Sequence, residues 1–438
     1  MSKSSLVTIL AILFALSGAP VSVARAMSLA PVDMVNLLVL RKDFAMADGL
    51  ARRIAGENRR LAWLPDYVRV CEMLSAGRFR AAEDRARRLA ARYPAEPDIR
   101  HALINALWGQ KKYRAALFQI ERNKPLVKDR SMRAAYEALV DEYNAVNKPY
   151  GLSISVGAVP SSNVNNGAST DTVDVGGLSF ELSDDAKARE GVNVTATASV
   201  YYLHQLGENV DILGKGAVHL AKSLQSRDRD ELTFIASPEV QIQFDSARFG
   251  AGPLVEYQLS GYDAYALRYG IGGFYRRNFD HDISLAMQAK LLRQDYFEDD
   301  FRDGHKYAFQ GVVGFPLSAS ADGTFKFSYE KEKTKRDYLD SDAYSLGFGL
   351  SNTWSRMAGL TTNLSVQYRW QNFRGDYPLT GQPRQDGRLT ASISISHEKL
   401  EFWGISPSIG YEFIDNKSNV AIKSYTAHNF IVGVNRTF

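Results

Sequence analysis

The side chains that could do chemistry in this sequence are charged and amide groups spaced along segments of alternating polarity. Seven of them fall on the polar side of that alternation: Arg268, Arg276, Lys290, Lys326, Glu330, Gln367 and Arg369. If the segments close into a barrel, these groups face a wet interior that is mixed in sign and mildly basic. They could select or guide what passes through that interior, or they could brace its wall by bonding to one another.

No catalytic or metal-binding pattern accompanies these groups. The histidines are scattered singly along the chain, at His101, His204, His219, His281, His305, His397 and His428. The sequence has no H-E-x-x-H, no G-x-S-x-G and no phosphate-binding loop. His397 and Glu398, beside a turn, are better explained as an interface pair than as a base. We therefore expect no enzyme activity, no cofactor and no metal ion.

The clearest of the alternating segments is Leu360 to Gln371, LTTNLSVQYRWQ. Leu364, Val366 and Trp370 lie on one face of an extended strand, and the polar residues between them lie on the other. The run is longer than the five or six residues usual in soluble sheets. It matches the roughly 9 to 11 residues that a tilted strand needs to cross a bilayer.

The same pattern predicts fourteen strands in the second part of the chain. They lie near 150-159, 190-203, 209-222, 231-244, 247-259, 263-278, 281-294, 306-318, 321-333, 341-354, 359-373, 386-397, 403-415 and 424-438. Their connections alternate between short ones (245-246, 278-280, 355-358) and long ones (160-189, 295-305, 334-340, 374-385). Short periplasmic turns and long extracellular loops are typical of an antiparallel outer-membrane β-barrel with an even strand number. A soluble sandwich gives no reason for that alternation.

The last strand supports the barrel and directs attention to its closure. The terminal Phe438 shares a face with apolar residues of the strand, namely Phe430, Val432 and Val434. Arg436 lies on the same face, near the strand end, where its side chain can reach the membrane interface. Closure must pair the first strand with the last. Gly151, Gly157 and Gly433 lie in these two strands, where glycine either weakens the ladder or makes room for a neighbour.

The beginning of the chain predicts export. Residues 1-26 combine Lys3, an apolar core from Leu6 to Leu16 and a small-x-small site at 24-26, which is the pattern of a signal peptide. The mature chain would then begin at Met27. No later stretch reaches the roughly 20 apolar residues of a membrane-spanning helix, so a membrane form of this chain must cross as strands.

Composition excludes other classes of partner and chemistry. The net charge of +4 and the 11% aromatic content indicate neither a nucleic-acid binder nor a disordered acidic chain. The single cysteine, Cys71, cannot form an internal disulfide and does not follow the cleavage site, so the chain is not itself a lipoprotein. Its helical surroundings predict burial between helices.

Residues 31 to 146 are rich in Ala, Arg and Leu at helical spacing. Aromatic residues recur at Phe44, Phe79 and Tyr113, and an alanine follows each by three positions, at Ala47, Ala82 and Ala116. A period of about 34 residues with this pairing is typical of tetratricopeptide (TPR) repeats. The predicted helix pairs are 34-55, 64-93 and 99-123, followed by a closing helix at 131-146.

These segments predict a two-domain mature chain. A periplasmic TPR-like helical domain covers 27-149, and an outer-membrane β-barrel covers 150-438. The short hinge at 147-149 would keep the helical domain at the periplasmic mouth of the barrel. Helical repeats commonly hold a peptide or another protein on a concave surface. The alternative is that the helices only stabilise or plug the barrel.

Several local sequences carry a family resemblance. After the first strand comes Pro160-Ser161-Ser162-Asn163-Val164-Asn165-Asn166, and the end of the chain contains Gly410-Tyr411-Glu412, Asn416-Lys417-Ser418-Asn419-Val420 and Arg436-Thr437-Phe438. With helical repeats before a fourteen-stranded barrel, the chain resembles the surface lipoprotein assembly modifier (Slam) family of Gram-negative outer-membrane proteins. The asparagines of the first motif could also have a plain role, since their side chains bond to nearby backbone and hold turns.

The resemblance implies a translocation function. Its expected partners are a client surface lipoprotein or a secreted haem- or metal-scavenging protein, together with outer-membrane lipid and periplasmic chaperones. Two alternatives stay open: a porin-like channel and a barrel that exports polysaccharide. A porin gives no reason for helical repeats, and the mixed sign of the predicted interior argues against a polysaccharide channel.

Overall fold

The computed structural model describes residues 30-438 apart from 128, 176-177, 226-229, 245, 355-356 and 358. The predicted signal peptide at 1-26 lies outside the described residues. Within the described ranges, no helix is both long enough and apolar enough to cross a membrane. The described chain divides into two compact units, one formed by the residues up to Lys148 together with 205-209, and the other by 149-204 with 210-438.

The first unit is helical. Its described helices are α1 (Pro31–Leu40), α2 (Phe44–Glu57), α3 (Leu64–Ser75), α4 (Phe79–Arg92), α5 (Pro97–Gly109), α6 (Tyr113–Asn123) and α7 (Arg130–Val146). Proline within the first turn starts α1, α3 and α5, where its missing N–H would have no helical partner. The second helix of each pair begins at Phe44, Phe79 or Tyr113, so the sequence period marks helix starts.

A common turn joins the two helices of each pair. Lys42, Gly77 and Lys111 each have a positive φ, of 59°, 69° and 61°. In each turn the next residue donates its N–H to a carbonyl five positions earlier, at 2.9 to 3.0 Å, which is the geometry of a Schellman helix end. Only one of the three positions is glycine, so the repeated turn is hard to see in the sequence. Assignment of the repeats to the tetratricopeptide class stays a prediction.

The core of the helical unit contains the repeated alanines and a polar cluster. Ala47, Ala82 and Ala116 are fully buried, and Cys71 is buried as predicted. His101 Nδ1 lies 2.7 Å from the hydroxyl of the fully buried Tyr136, which also accepts a hydrogen bond from Asn123 Nδ2 at 3.1 Å. These bonds satisfy polar groups that would otherwise destabilise the core.

The second unit is a closed antiparallel barrel. Its strands are β1 (Tyr150–Ser161), β4 (Gly191–Gln205), β5 (Val210–Ser223), β6 (Glu231–Ala236), β7 (Glu239–Phe244), β8 (Ala247–Ser260), β9 (Asp263–Asn278), β10 (Ser284–Tyr296), β11 (Gly304–Ser318), β12 (Ala321–Thr334), β13 (Ser341–Trp354), β14 (Leu360–Tyr377), β15 (Gln382–His397), β16 (Ile405–Ser418) and β17 (Tyr425–Thr437). A small hairpin, β2 (Thr172–Val175) with β3 (Leu178–Glu181), lies in the connection after β1. Each span of the barrel pairs with the next span along the chain, with β6 and β7 together forming one span, and β1 pairs with β17 to close the sheet.

The fourteen-stranded prediction is confirmed with one interruption. The predicted strand 231-244 is divided at Ser237-Pro238 into β6 and β7, and both parts pair with β5 and β8. Pro238 has no N–H to give to the ladder. Its carbonyl lies so close to Gly252 that a Cβ there would stand 2.0 Å away, so the neighbouring strand needs glycine at this position.

The outer face of the barrel is apolar, as the alternation predicts. Exposed side chains on it include Phe325, Leu346, Leu364, Val366 and Ile395. Such a continuous apolar band would be unfavourable in water, whereas in a bilayer it contacts the acyl chains of the lipids.

The connections alternate in length less regularly than predicted. The predicted loop 374-385 is mostly strand, because β14 continues to Tyr377 and β15 begins at Gln382 across a bulge. The polar residues of 374-385 can still form part of paired strands, because barrel strands can continue beyond the hydrocarbon layer of the membrane. At the same end of the barrel, the connection 261-262 has only two residues, while 398-404 at the opposite end has seven. We call these ends the loop end, which carries 162-190, and the turn end.

The pH dependence of the helical unit offers a first test. Burial lowers the pKa of His101 to about 4, and burial together with the nearby Asp33 raises the pKa of Asp98 to about 6. Stability from the neutral His101 is lost as pH falls from about 6.5 towards 4, whereas stability from the protonated Asp98 is gained as pH falls through about 6. The two effects oppose each other, so we expect little net change in wild-type stability between pH 6.5 and 4.5 from this pair.

Substitutions should separate the two effects. As the pH falls from 6.5 to 4.5, the free energy of unfolding should rise in His101→Gln, where only the Asp98 effect remains. It should fall in Asp98→Asn, where only the His101 effect remains. Each change should be of order 1 kcal/mol or more. Urea titrations of the detergent-solubilised full chain, followed by circular dichroism at 222 nm, measure the helical unit. Identical pH dependence in both variants and the wild type would contradict the assignment.

Candidate functional site in the barrel lumen and seam

The lumen contains a cavity of about 550 Å³ on the β8–β14 side of the barrel. Six of the seven charged and amide residues singled out in the sequence line it: Arg268, Lys290, Lys326, Glu330, Gln367 and Arg369. Arg276 is not among the lining residues. It lies near the end of β9, where its guanidinium carbon is 5.4 Å from the centre of the Phe274 ring.

Glu330 anchors the first group of contacts across the cavity wall. The guanidinium of Arg369 donates to both of its carboxylate oxygens at 3.1 Å, a bidentate geometry that is strong and directional. Lys306 Nζ lies 3.4 Å from the same carboxylate. One carboxylate from β12 therefore holds side chains of β11 and β14.

Gln294 anchors a second group. Only 1% of this residue is exposed. Its carbonyl oxygen accepts from Arg268 Nε at 3.2 Å, and its Nε2 donates to Glu332 Oε1 at 2.7 Å. Lys290 forms a looser pair, with its Nζ 3.8 Å from Glu256 Oε1.

Counting these groups gives the charge of the cavity wall. The lining includes five basic side chains and three acidic ones, Glu256, Glu330 and Glu332, so the wall is mildly basic. Sequence reasoning named none of Glu256, Gln294, Lys306 and Glu332, although each obeys the same inward alternation as the named residues. Strand alternation assigns a face, and only the register brings particular side chains together.

The seam between β1 and β17 is less continuous than the pairing on the other side of β1. Pairs run from Ser153–Thr437 to Ala158–Val432 and resume only at Ser161–Asn429. Pro160 lies in the gap and has no N–H to donate. With β4, by contrast, β1 pairs without a break from Tyr150–Tyr202 to Ser161–Gly191.

The three seam glycines have different roles. A Cβ at Gly151 would stand 2.4 Å from the Tyr201 ring, so this glycine makes room for an aromatic side chain. Gly157 and Gly433 pair directly with each other. A Cβ at Gly157 would lie 3.3 Å from the Thr195 hydroxyl, and a Cβ at Gly433 would lie 3.4 Å from the Val156 carbonyl, so packing favours glycine less strongly there than at Gly151. A glycine pair adds no side-chain packing to the ladder and so lowers its stability.

Beyond the Ser161–Asn429 pair, the first residues of β17 have no ladder partner on β1. Side chains and backbone of the loop after β1 bond to them instead. Ser162 exchanges two hydrogen bonds with the backbone of His428, at 3.0 and 3.1 Å. Asn163 Nδ2 donates to the Thr426 carbonyl at 3.2 Å. Ser169 Oγ accepts from the Thr426 N–H at 3.0 Å. We call Ser162, Asn163 and Ser169 the seam clamp.

The remaining asparagines of the family-like motif hold the loop itself. Asn163, only 3% exposed, also bonds to both the N–H and the carbonyl of Gly167. Asn165 donates to the Lys187 carbonyl at 2.6 Å and accepts from the Arg189 N–H at 2.9 Å. Asn166 has a left-handed backbone with φ of 49°. The side chains of Asn163 and Asn165 thus bond to nearby backbone, as the plainer interpretation supposed.

At the end of β17, Arg436 is a charged residue on the otherwise apolar face of the strand. The Arg436 guanidinium carbon lies 4.2 Å from the centre of the Phe438 ring, so the charge is stabilised by the ring face. The Phe438 N–H donates to the Leu152 carbonyl at 2.8 Å, which ties the last residue of the chain to β1.

A closed antiparallel barrel of fourteen spans with an apolar outer face and a polar, charged lumen is an outer-membrane β-barrel. Residues 151–438 match the family model described as surface lipoprotein assembly modifier. The chain belongs to this family. The match covers the barrel from its first strand to the terminal phenylalanine.

Three relatives give the extent of the likeness. Surface lipoprotein assembly modifier 2 of Neisseria meningitidis serogroup B is 27% identical over 209 residues, 41% of each chain. The surface lipoprotein assembly modifier of Moraxella catarrhalis is 22% identical over 392 residues, 85% of this chain and 72% of that one. The hemophilin secretion modulator of Acinetobacter baumannii is 26% identical over 196 residues, 42% of this chain and 37% of that one. The first and third matches thus span less than half of those proteins.

The seam clamp leads to a second prediction. Asn163→Ala removes one bond to β17 and two bonds within the loop, leaving buried backbone groups without partners at a cost of about 1 to 3 kcal/mol. We expect proteolysis within 162-190 of the purified, detergent-solubilised protein to accelerate at least about fivefold. Asn363→Ala is the matched control, since among the described residues the Asn363 side chain makes a single exposed hydrogen bond, of 3.4 Å. Equal cleavage rates in both variants would contradict the clamp.

Proposed function

We propose that this protein is an outer-membrane translocon that delivers a client surface lipoprotein or secreted protein across the outer membrane. The family match over the whole barrel is the observation that carries the proposal. Two of the relatives are named for lipoprotein assembly at the surface and one for secretion of hemophilin, which supports both kinds of client. The protein would act by binding and guiding its client, with no catalytic step.

We further propose that the loop end faces the outside and that the helical unit lies in the periplasm. Long connections at one end support that orientation, because outer-membrane barrels keep their longer loops outside. In this orientation the helical unit meets clients before they cross, alone or with a periplasmic chaperone. Its paired helices support such a role, because helical repeats commonly present a surface that holds another chain.

For the route, we propose that the client uses an opening at the seam. The Gly157–Gly433 pair and the interrupted ladder near Pro160 support this, because glycine adds no packing to a ladder and because β1 pairs with β17 less continuously than with β4. Opening there breaks no hairpin, since β1 and β17 are joined by no turn. The seam clamp would set how readily the loop end opens.

The function and the division of labour can be tested in one experiment. The full chain and a variant lacking 31-146 are each expressed in Escherichia coli with an epitope-tagged candidate client encoded beside this gene. Full-length protein should bring the client to the surface of intact cells. The deletion should leave a heat-modifiable barrel in the outer membrane but lower surface display about tenfold or more, because a tethered binding surface raises the local client concentration.

Its outcomes separate two ideas. No display with the full chain, although the barrel is inserted, would count against the translocon function for that client. Display at the full rate without residues 31-146 would reduce the helical unit to a structural support.

The seam route is tested with a disulfide. The register pairs Ser155 with Asn435 and Ser153 with Thr437. In a Cys71→Ser background, Ser155→Cys with Asn435→Cys should lock the seam on oxidation and lower client display at least about tenfold, and reduction should restore it. Directly paired residues on one face are close enough for a disulfide.

A matched control uses Ser365→Cys with Ser392→Cys, whose native hydroxyls lie 2.7 Å apart on strands already joined by a turn. This disulfide joins two strands that already form a hairpin and leaves the seam free to open, so client display should stay at the wild-type rate. If the seam-locked protein displays its client as fast as this control does, the client passes through the lumen instead.

A further inference from the structure

One lysine of the lumen cavity stands apart from the other basic side chains. Arg369 and Lys306 contact Glu330, Lys290 contacts Glu256, and Arg268 bonds to Gln294, which in turn bonds to Glu332. Within the described part of the chain, the side chain of Lys326 makes no hydrogen bond and no ion pair, although it is half-buried in the same cavity. All three acidic groups of the wall are already engaged by other residues.

The residues around Lys326 can donate hydrogen bonds. Gln288, Gln310 and Gln367 line the same cavity, and among the described residues none of their side chains has a hydrogen-bond partner. Gln288 and Gln310 are directly paired on β10 and β11. Lys326 is paired with Gly347, and Gly347 in turn with Gln367. A single glycine therefore separates the lysine strand from the amide strand.

That glycine places no side chain between Lys326 and Gln367. The three atoms nearest to a Cβ at Gly347 would all belong to Val366 and Gln367 on β14, at 3.5 Å or more. In the row beside it, Ser328 and Ser345 are also small, and the buried Ser345 hydroxyl has no partner among the described residues. Small residues on β12 and β13 therefore flank Lys326 on this part of the wall.

We infer that Lys326, with Gln288, Gln310 and Gln367, forms an anion-binding site in the lumen, whose ligand is a carboxylate or a phosphate. An ammonium group has three donors and no acceptor, and each carboxamide adds two donors. Hydrogen bonds from such donors to an ionised oxygen are about twice as strong as neutral ones. A half-buried cation without a counter-charge favours a ligand of opposite sign. This inference does not depend on the proposed function.

The same oxygen chemistry is present in a free anion and in the acidic side chains of a passing chain. The experiment therefore uses two probes, inorganic phosphate and a hexaglutamate peptide. The full-length protein in detergent is acetylated with a water-soluble N-hydroxysuccinimide ester at constant ionic strength, and the rate at each lysine is read by mass spectrometry. Lys417, whose side chain is 84% exposed, serves as the internal control.

We expect saturating probe to slow acetylation of Lys326 at least about fivefold and to leave Lys417 unchanged. Protection by phosphate alone assigns the site to small anions, and protection by the peptide alone assigns it to acidic segments of a chain. No selective protection by either probe overturns the inference. So does a Lys326 that does not react without a probe, because its amine is then closed to ligands.

A second measurement guards against a labelling artefact. Phosphate should raise the temperature at which the folded barrel of the wild type converts to the slower-migrating form in semi-native gels. Lys326→Gln should abolish that rise, whereas Lys417→Gln should keep it. A phosphate effect that persists in Lys326→Gln overturns the site.

Discussion

The rest of this structure depends on one constraint, that backbone N–H and C=O groups in a bilayer have no water to bond to. Strands meet it only when the sheet closes, so β1 must pair with β17 whatever else the sequence requires. The cost of closure is concentrated in the few places where pairing is incomplete. Pro238 divides one strand on the far side of the barrel, and Pro160 with the Gly157–Gly433 pair weakens the seam. The break at Pro238 is bridged by β5 and β8, the uninterrupted strands on either side of it. The weak pairing at the seam lies between β1 and β17, which are not joined by a turn.

Closure also creates the lumen and decides how charge is arranged within it. Inward side chains on neighbouring strands lie close enough that acids and bases find one another, and Glu330 and Gln294 each gather partners from other strands. These contacts give the wall a fixed pattern in a region without an apolar core. A wall braced in this way holds most of its charges in pairs. Among the described residues, two basic side chains of the wall pair with no acidic group: Arg268, which bonds to Gln294, and Lys326, which lies in the same cavity as three amides without hydrogen-bond partners.

The family-like motif after the first strand links these two themes. Its asparagines and serines bond to backbone, which is a structural role, yet the backbone they bond to includes the free end of β17. Because the same side chains stabilise the loop and bond to the start of β17, the conformation of the loop is coupled to the pairing of β17 at the seam. In a translocon, such coupling would make the seam at the loop end responsive to whatever contacts the loop. The terminal phenylalanine ties the other end of the seam to β1 through its backbone.

Local patterns in the sequence were sufficient for the architecture. Period-two alternation, as in 360-371, determined that there are strands and which face is apolar, since a strand exposes alternate residues whatever its partners are. The recurrence of Phe44, Phe79 and Tyr113 determined where the helix pairs repeat. Inward alternation also identified six of the residues that line the cavity. Only the tertiary structure decided what depends on register and on close packing. It paired Ser155 with Asn435, distinguished Gly151 from Gly157 by the presence of the Tyr201 ring, and continued β14 and β15 through a segment that reads as loop. It also left the Lys326 side chain without a hydrogen-bond or ion-pair partner among the residues that the structure describes. The reason is physical: alternation repeats every two residues and is the same for every register, whereas a hydrogen bond between two side chains exists in only one.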